Sequence, residues 1–253
     1  MTQNADPDIT AEVREFWDAD AAGYDNSPSH YPRRPQEQAA WASALRRLLP
    51  PPPASVLDMG AGTGFLSLLL AAQGYQVTAA DLSPGMLARL RTKAADRHLN
   101  ITCAETDALH PPEGSFDAVV ERHLLWTLPD PGGALAAWHQ AAPHGRLVAV
   151  EGSWHPQPGL SVEGLRAAGR QAAERIRRTD PDHHDHYSTR VTAALPYRDG
   201  LSTGEAVALI EAAGWGQARL ERLRDVEWAL TEGRGLLDEI LGTHPRWAVV
   251  AGT

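Results

Sequence analysis

Cysteine and lysine are almost missing from this chain. Cys103 is the single cysteine and Lys93 the single lysine among 253 residues. One thiol excludes an internal disulfide and fits a reducing compartment. Within an apolar strand pattern, Cys103 reads as a small buried residue. Basic residues number 23 against 32 acids, for a net charge of -9. That balance excludes the broad basic footprint of a nucleic-acid binder. No apolar run approaches the ~20 residues that a membrane-spanning helix needs. The opening residues, Met1-Thr2-Gln3-Asn4, have neither the basic nor the apolar part of a signal peptide. The expectation is a cytoplasmic protein, a monomer or homodimer, with no nucleic-acid or membrane partner. His183-His184-Asp185-His186 is the one dense group of ligand-type side chains. Adjacent residues diverge in direction and no distant fourth ligand accompanies them, so no metal is expected.

What is present is a strand–turn–helix–strand unit. Ser55 to Met59 is a short apolar run with the look of a buried parallel strand. Gly60, Gly62 and Gly64 follow at every second position, and glycine lets a ligand approach the backbone closely. Phe65 to Gln73 repeats leucine at helical spacing and Gly74 ends it. Tyr75 to Ala80 is a second strand, with Asp81 at its carboxyl end. An acid about 20 residues beyond the first glycine is placed to accept hydrogen bonds from ribose hydroxyls.

The glycine spacing decides between two cofactor classes. A dinucleotide loop reads G-x-G-x-x-G and presents its helix terminus to a pyrophosphate. Here the third glycine arrives one residue early, and Phe65 holds the place of the last. Asp58 stands just before the loop, where its charge opposes a pyrophosphate and suits an ammonium group. Acid, G-x-G-x-G and the string Asp81-Leu82-Ser83-Pro84-Gly85-Met86-Leu87 together resemble the class I S-adenosylmethionine (SAM) methyltransferases, of the small-molecule, methyltransferase-11/25-like kind. The resemblance covers roughly residues 10–152 well, and the remainder in outline.

That resemblance implies a Rossmann-like α/β fold: a seven-stranded, mainly parallel sheet with helices on both faces and one antiparallel strand from the last hairpin. It implies a helical cap over residues 1–50 and a methyltransferase domain over 51–253, with a lid insertion at about 153–200. It implies SAM as cofactor, held by Asp58, Gly60, Ala61, Gly62, Asp81, Leu82 and Met86. Thr106-Asp107-Ala108 follow the third strand, where the family's acid meets the adenine amino group. Tyr24, in a Phe16-Trp17-Asp18…Tyr24-Asp25 string, matches a cap tyrosine that reaches over the cofactor. Packing the cap is an equal alternative. Arg33 and Arg34 either meet the cofactor carboxylate or are solvated.

Arg122-His123-Leu124-Leu125-Trp126-Thr127-Leu128-Pro129-Asp130 resembles a signature found in a subgroup of small-molecule methyltransferases. Arg122 is expected around the cofactor's amino-acid part and His123 as the acceptor-side base, with His30 and His155 as rivals. Tyr31, Trp126, Trp154 and His155 are expected to meet the substrate. The motif of enzymes that methylate exocyclic amines of DNA bases is missing, as is the acid-acid-Asn metal cluster of catechol-type enzymes.

Local signals complete the outline. Thr10 reads as the cap of a first helix and Gln36 to Leu49 as a second. Ser83 reads as the cap of a helix ending at Arg97. Strands are expected at Ile101–Ala104, Ser115–Glu121, Gly145–Glu151, Trp215–Val226 and Arg246–Ala251. Helices are expected at Gly133–Ala142, Ser161–Arg178 and Ser202–Ala213. The expected function is methyl transfer to an O, N or C atom of a small organic molecule, of the specialised-metabolite kind. Two alternatives stay open: a SAM-fold protein that binds a ligand or partner without turnover, and a methyltransferase acting on a peptide.

Overall fold

A computed structural model describes residues 7–27, 29–152, 166, 168–170, 187–232, 235 and 240–253 of the protein. Seven strands occur in chain order: β1 (Ser55–Met59), β2 (Gln76–Asp81), β3 (Ile101–Glu105), β4 (Ala118–Arg122), β5 (Arg146–Gly152), β6 (Arg219–Arg222) and β7 (Arg246–Gly252). They lie side by side as β3-β2-β1-β4-β5-β7-β6. All neighbours are parallel except β7, which runs antiparallel to both β5 and β6. The expected class I sheet is present.

Alternation along the central strands builds two cores. Val56 of β1 joins Val77, Val120 and Val148 on one face, under helices α2 (Pro35–Leu48) and α3 (Phe65–Ala71). Leu57 and Met59 point the other way, with Val119 and Leu147, onto helix α5 (Pro131–Ala141). Trp41 and Trp138 are the largest fully buried side chains of the two faces. Burying both faces is why these strands read as nearly unbroken apolar runs.

The chain winds from β1 outward to β3, then returns to place β4 on the opposite side of β1. The reversal opens a crevice beyond the carboxyl ends of β1 and β4, where open α/β sheets bind ligands. Helix α1 (Pro7–Asp20) is fastened beside it. Its Asp18 accepts hydrogen bonds from the Ser83 hydroxyl and, at 2.8 Å, from the Gly85 amide. Those donors belong to the start of helix α4 (Pro84–Asp96), whose cap Ser83 also accepts from the Met86 amide at 3.0 Å. Among the described residues, no helix is long and apolar enough to cross a membrane.

Several expected elements are redrawn. The first helix starts at Pro7, so Thr10 lies inside it; proline suits a first helical position because its missing N–H has no partner there. The fourth strand begins at Ala118 rather than Ser115. The next helix begins at Pro131, because the Asp130 side chain caps it by accepting from the Gly133 amide at 2.8 Å. The largest change is at Trp215–Val226. Only Arg219–Arg222 is strand, and Arg224–Thr231 is a helix that buries Val226 and Ala229. The hydrophobic period passes from 2 to 3.6 at Leu223, and that change ends the strand. A short helix at Thr189–Ala194 is capped by Ser188, and the helix Thr203–Ala212 by Ser202. Most of the expected helix over Ser161–Arg178, the histidine loop and most of the lid insertion lie outside the described residues; residues 166 and 168–170 are helical.

Candidate functional site

The crevice holds two connected chambers. Tyr24, Gly60, Gly62 and Arg122 line both of them. The larger chamber is bounded by Asp81, Leu82 and Met86, by Thr106, Asp107 and Ala108 after β3, and by His123 and Leu124 after β4. The smaller one runs back to Asp58, Ala61 and Phe65. Every residue expected to hold the cofactor lines one chamber or the other.

The floor is the glycine turn. Gly60 and Gly62 have φ of 65° and 54°, a conformation that side chains disfavour. A Cβ on Gly60 would stand 2.9 Å from the Leu124 side chain. A Cβ on Gly62 would meet nothing within 4 Å and would project into free space. Asp81 holds the turn in place. Its Oδ2 accepts from the Gly62 amide at 2.7 Å and its Oδ1 from the Ser83 amide at 2.8 Å. A carboxylate has about four lone-pair positions, so two bonds leave acceptor capacity. Burial raises its pKa to about 6, against the pull of those amides.

The small chamber carries opposite charges. Asp58 is buried, accepts from the Ser67 hydroxyl, and burial raises its pKa to about 7. Arg122 stacks on the Phe65 ring at 4.0 Å and donates to the Ser29 carbonyl at 2.8 Å. Its Nε is buried with no hydrogen-bond partner among the described residues. Desolvation depresses its pKa, opposed by Tyr24 and the nearby acids. A buried acid and a buried guanidinium with spare hydrogen-bonding capacity match an amino acid's ammonium and carboxylate. These residues fit the methionine end of SAM.

At the other end, Asp107 braces its own loop. Its Oδ1 accepts from the Leu109 amide at 2.8 Å, and both oxygens lie 2.9 Å from His110 Nδ1. The Ala108 carbonyl accepts from the Trp138 indole at 2.8 Å, which ties this loop to α5. Thr106 donates its hydroxyl to the His110 carbonyl. Tyr24 stacks on His30 with ring centroids 3.9 Å apart, and Trp17 meets its edge at 5.9 Å.

His123 sits on a turn built under tension. Its φ is 60°, and two acids from adjacent strands brace the turn. Glu121 accepts from the Leu124 amide at 2.9 Å and Glu151 from the Leu125 amide at 3.2 Å. Their relative exposures are 0% and 4%. Burial drives Glu121 to a pKa of about 8, with Asp58 adding to the rise, and Glu151 well above the usual carboxylate range, with Glu121 adding to it. His123 Nδ1 lies 3.6 Å from Glu151 Oε2, and both ring nitrogens are shielded from solvent. The ring lines the cleft without presenting a solvent-exposed nitrogen to it.

The substrate candidates fare differently. Tyr31 does not line the cleft. It packs beside Leu68, Leu90 and Ala94, with Lys93 Nζ 4.7 Å from its ring. Trp126 does not line it either, and packs against the α5 core. Both stand near the site along the chain, yet the turns that hold them carry the side chains away. Trp154 and His155 lie outside the described residues. His30 is buried against the Tyr24 carbonyl, with Nδ1 2.8 Å from it. Neither Arg33 nor Arg34 reaches the cofactor chamber or stands merely solvated. Arg33 holds the Asp25 and Asn26 carbonyls, and Arg34 holds Glu37 and the carbonyls of Ala229 and Glu232.

Two groups are not found by reading the sequence. Ile9, Val13 and Trp17 of α1 roof the large chamber, at the i, i+4, i+8 spacing of a helix face. Glu121 and Glu151 each stand near the end of an apolar strand, and a lone acid closing such a run is the available signal.

Comparison with known proteins agrees with this geometry. Residues 57–149 match a family model described as a methyltransferase domain. A demethylmenaquinone methyltransferase of Thermus thermophilus is 40% identical over 118 residues, 45% of this chain and 52% of that protein. A ubiquinone biosynthesis O-methyltransferase of Xylella fastidiosa is 37% identical over 98 residues, 37% of this chain and 40% of its own length. The chain thus spans about half the length of such curated relatives. Among solved structures, magnesium protoporphyrin IX methyltransferase of Synechocystis with bound SAM aligns at a TM-score of 0.59 and 15% identity, over 99% of this chain and 100% of the other. A structure concerned with conversion of a disulfide bond into a thioacetal group during echinomycin biosynthesis aligns at 0.56 and 24%, over 94% and 92%. At such identities the structures speak for the fold alone. Sheet order, glycine turn and family match converge on a methyltransferase domain over residues 57–149, set in a sheet of the class I methyltransferase fold.

Proposed function

We propose that the protein transfers the methyl group of SAM to an oxygen, nitrogen or carbon atom of a small organic molecule, of the specialised-metabolite kind. The observation that carries this reading is the continuous pair of chambers. One end has charge for an amino-acid group, the middle has exposed glycine backbone, and the far end is closed by Thr106–Ala108. Relatives named for demethylmenaquinone and for ubiquinone biosynthesis support a small acceptor. The acidic chain supports the absence of a nucleic-acid partner, and a cytoplasmic monomer or homodimer belongs to the same proposal.

The cofactor supplies an already activated methyl group, so the protein's task is placement and exclusion of water. Asp58 and Arg122 are assigned to the amino-acid end, Asp81 to the ribose, and Asp107 and Ala108 to the adenine. Gly60, Ala61, Gly62, Thr106, Leu82 and Met86 shape the walls between, and Tyr24 and α1 cover the cleft. The residues 1–50 act as a cap and the 153–200 segment as a lid, on this reading. Alignment of donor and acceptor alone can contribute ~7–11 kcal/mol. An amine acceptor needs no strong base. For a hydroxyl or carbon acceptor His123 is assigned the proton.

The competing reading, ligand binding without turnover, keeps the same cleft. Incubation with SAM and a metabolite extract, followed by mass spectrometry, separates them. The expected result is an acceptor heavier by one methylene together with the demethylated cofactor. Tight binding of SAM with no product from any extract would favour the binding protein, and NAD binding tighter than SAM would overturn the cofactor assignment.

A further inference from the structure

A second cavity, of about 390 Å³, opens near the ends of β6 and β7. Arg222 closes β6 and pairs with Trp247, while Arg246 opens β7 opposite Gly152 at the end of β5. The cavity therefore lies on the same edge of the sheet as the cofactor cleft, beyond β5, and among the described residues it shares no lining residue with that cleft.

Its walls are cationic. Among the described residues, Arg166, Arg170, Arg222 and Arg224 line it, against the single acid Glu227. That acid is already engaged: Arg222 donates to its two oxygens at 3.0 Å each, and the Arg246 amide donates to Oε1 at 2.8 Å. Arg170 is only 7% exposed and donates to the Leu241 carbonyl at 2.8 Å. Among the described residues Arg166 and Arg224 form no ion pair. Elsewhere several arginines face acids, as Arg14 does Glu105 and Arg47 does Asp225. Arg166 and Arg224, like charges without an ion-pair partner among the described residues, repel one another, and a bound anion relieves that repulsion.

The helix Arg224–Thr231 adds an aromatic surface. Trp228 follows Arg224 by one helical turn, so both face the cavity. Trp228 is 62% exposed, while Val226 and Ala229 of the same helix are buried. A guanidinium beside an open indole suits a planar ring carrying an oxyanion. We propose that this cavity is a binding site for a small aromatic acid, a carboxylate or phosphate monoester, whose oxyanion is met by Arg166 and Arg224 and whose ring lies on Trp228.

Titration calorimetry on the full chain, with demethylated cofactor present to fill the main cleft, tests the site without any need for turnover. The probes are naphthalene-2-carboxylate, 2-naphthyl phosphate and the neutral naphthalene-2-carboxamide. At least one acid should saturate with a Kd of about 1 mM or tighter. The amide should bind roughly tenfold more weakly or worse. The preferred acid identifies the oxyanion as carboxylate or phosphate. Arg166→Gln with Arg224→Gln should weaken the acid by about tenfold or more, while cofactor affinity and thermal midpoint stay in place. Trp228→Ala should weaken acid and amide alike. Failure of both acids to saturate, equal affinity for acid and amide, or unchanged acid binding in the double variant would each overturn the proposal.

Discussion

Glu121 and Glu151 show how single residues set the site. Both carboxyls are buried and each is used to hold a backbone amide of the turn after β4. Folding raises their pKa, so the folded state holds protons that the unfolded chain gives up at about pH 4.3. Their stabilising contribution is present below that pH and is lost as pH rises through the folded values, about 8 for Glu121. Asp81, at about 6, and Asp58, at about 7, act in the same direction. The melting temperature should accordingly fall from about pH 5 to about pH 8. Glu121→Gln, which retains an acceptor for the Leu124 amide, should flatten that slope and melt a few degrees higher than wild type at the alkaline end. A calorimetric pH series in which both proteins run parallel would refute this. Asp81 offers a test of binding at the same scale. Asp81→Asn removes the charge behind two hydrogen bonds and should weaken the demethylated cofactor by roughly 10–100-fold. Unchanged affinity would remove Asp81 from the ribose.

At the scale of elements, the decisive joint is between α1 and α4. Asp18 ties the cap helix to the start of α4, by accepting from Ser83 and Gly85. Gly85 is also where the two helices touch closely, since a Cβ there would stand 2.9 Å from Asp18 Oδ1. Asp18→Ala should cost about 1–3 kcal/mol locally, because it strands the two donors. Hydrogen exchange should then speed up across Pro7–Asp20 while β1 and β4 stay protected. Cofactor affinity should fall, since Trp17 and Tyr24 wall the cleft from this side. Protection of α1 unchanged by the substitution would show that its aromatic contacts, not Asp18, hold the cap. The same scale explains the redrawn carboxyl-terminal strand. Leu223 is buried, and the next residues form a helix because Val226 and Ala229 reach the core beside α2 only at helical spacing.

At the scale of the whole molecule, the described residues pack cores on both faces of one sheet, and the site sits where the strand order reverses. Trp138 couples core to site, with its ring fully buried and its indole donating to the Ala108 carbonyl. Trp138→Ala should destabilise the protein by about 3–5 kcal/mol. For a chain of this size that is on the order of 10 °C in melting temperature. Trp138→Phe should cost less in stability and still weaken cofactor binding, because it leaves the packing and removes the bond to Ala108. If the phenylalanine variant binds as tightly as wild type, that bond has no part in positioning the adenine loop.

Local chemistry makes much of this protein legible in its sequence. Alternating glycines after an apolar strand mark a turn near a ligand, because side chains resist positive φ; Asp81 and Ser83 are readable because strand ends and helix caps depend on neighbouring residues alone. The sheet's class follows from strands and helices in alternation. Tertiary structure decides what depends on direction. Tyr31 and Trp126 lie near site residues along the chain, but their side chains pack into the cores. Arg33 and Arg34 turn to backbone carbonyls. Glu151 meets His123 only because β5 lies beside β4 in parallel register, with the His123 amide donating to the Val150 carbonyl. Spacing along a chain specifies turns and caps, since these involve a few successive residues. Which distant side chains share a pocket is set by strand order and helix docking, and those are settled only when the whole core closes.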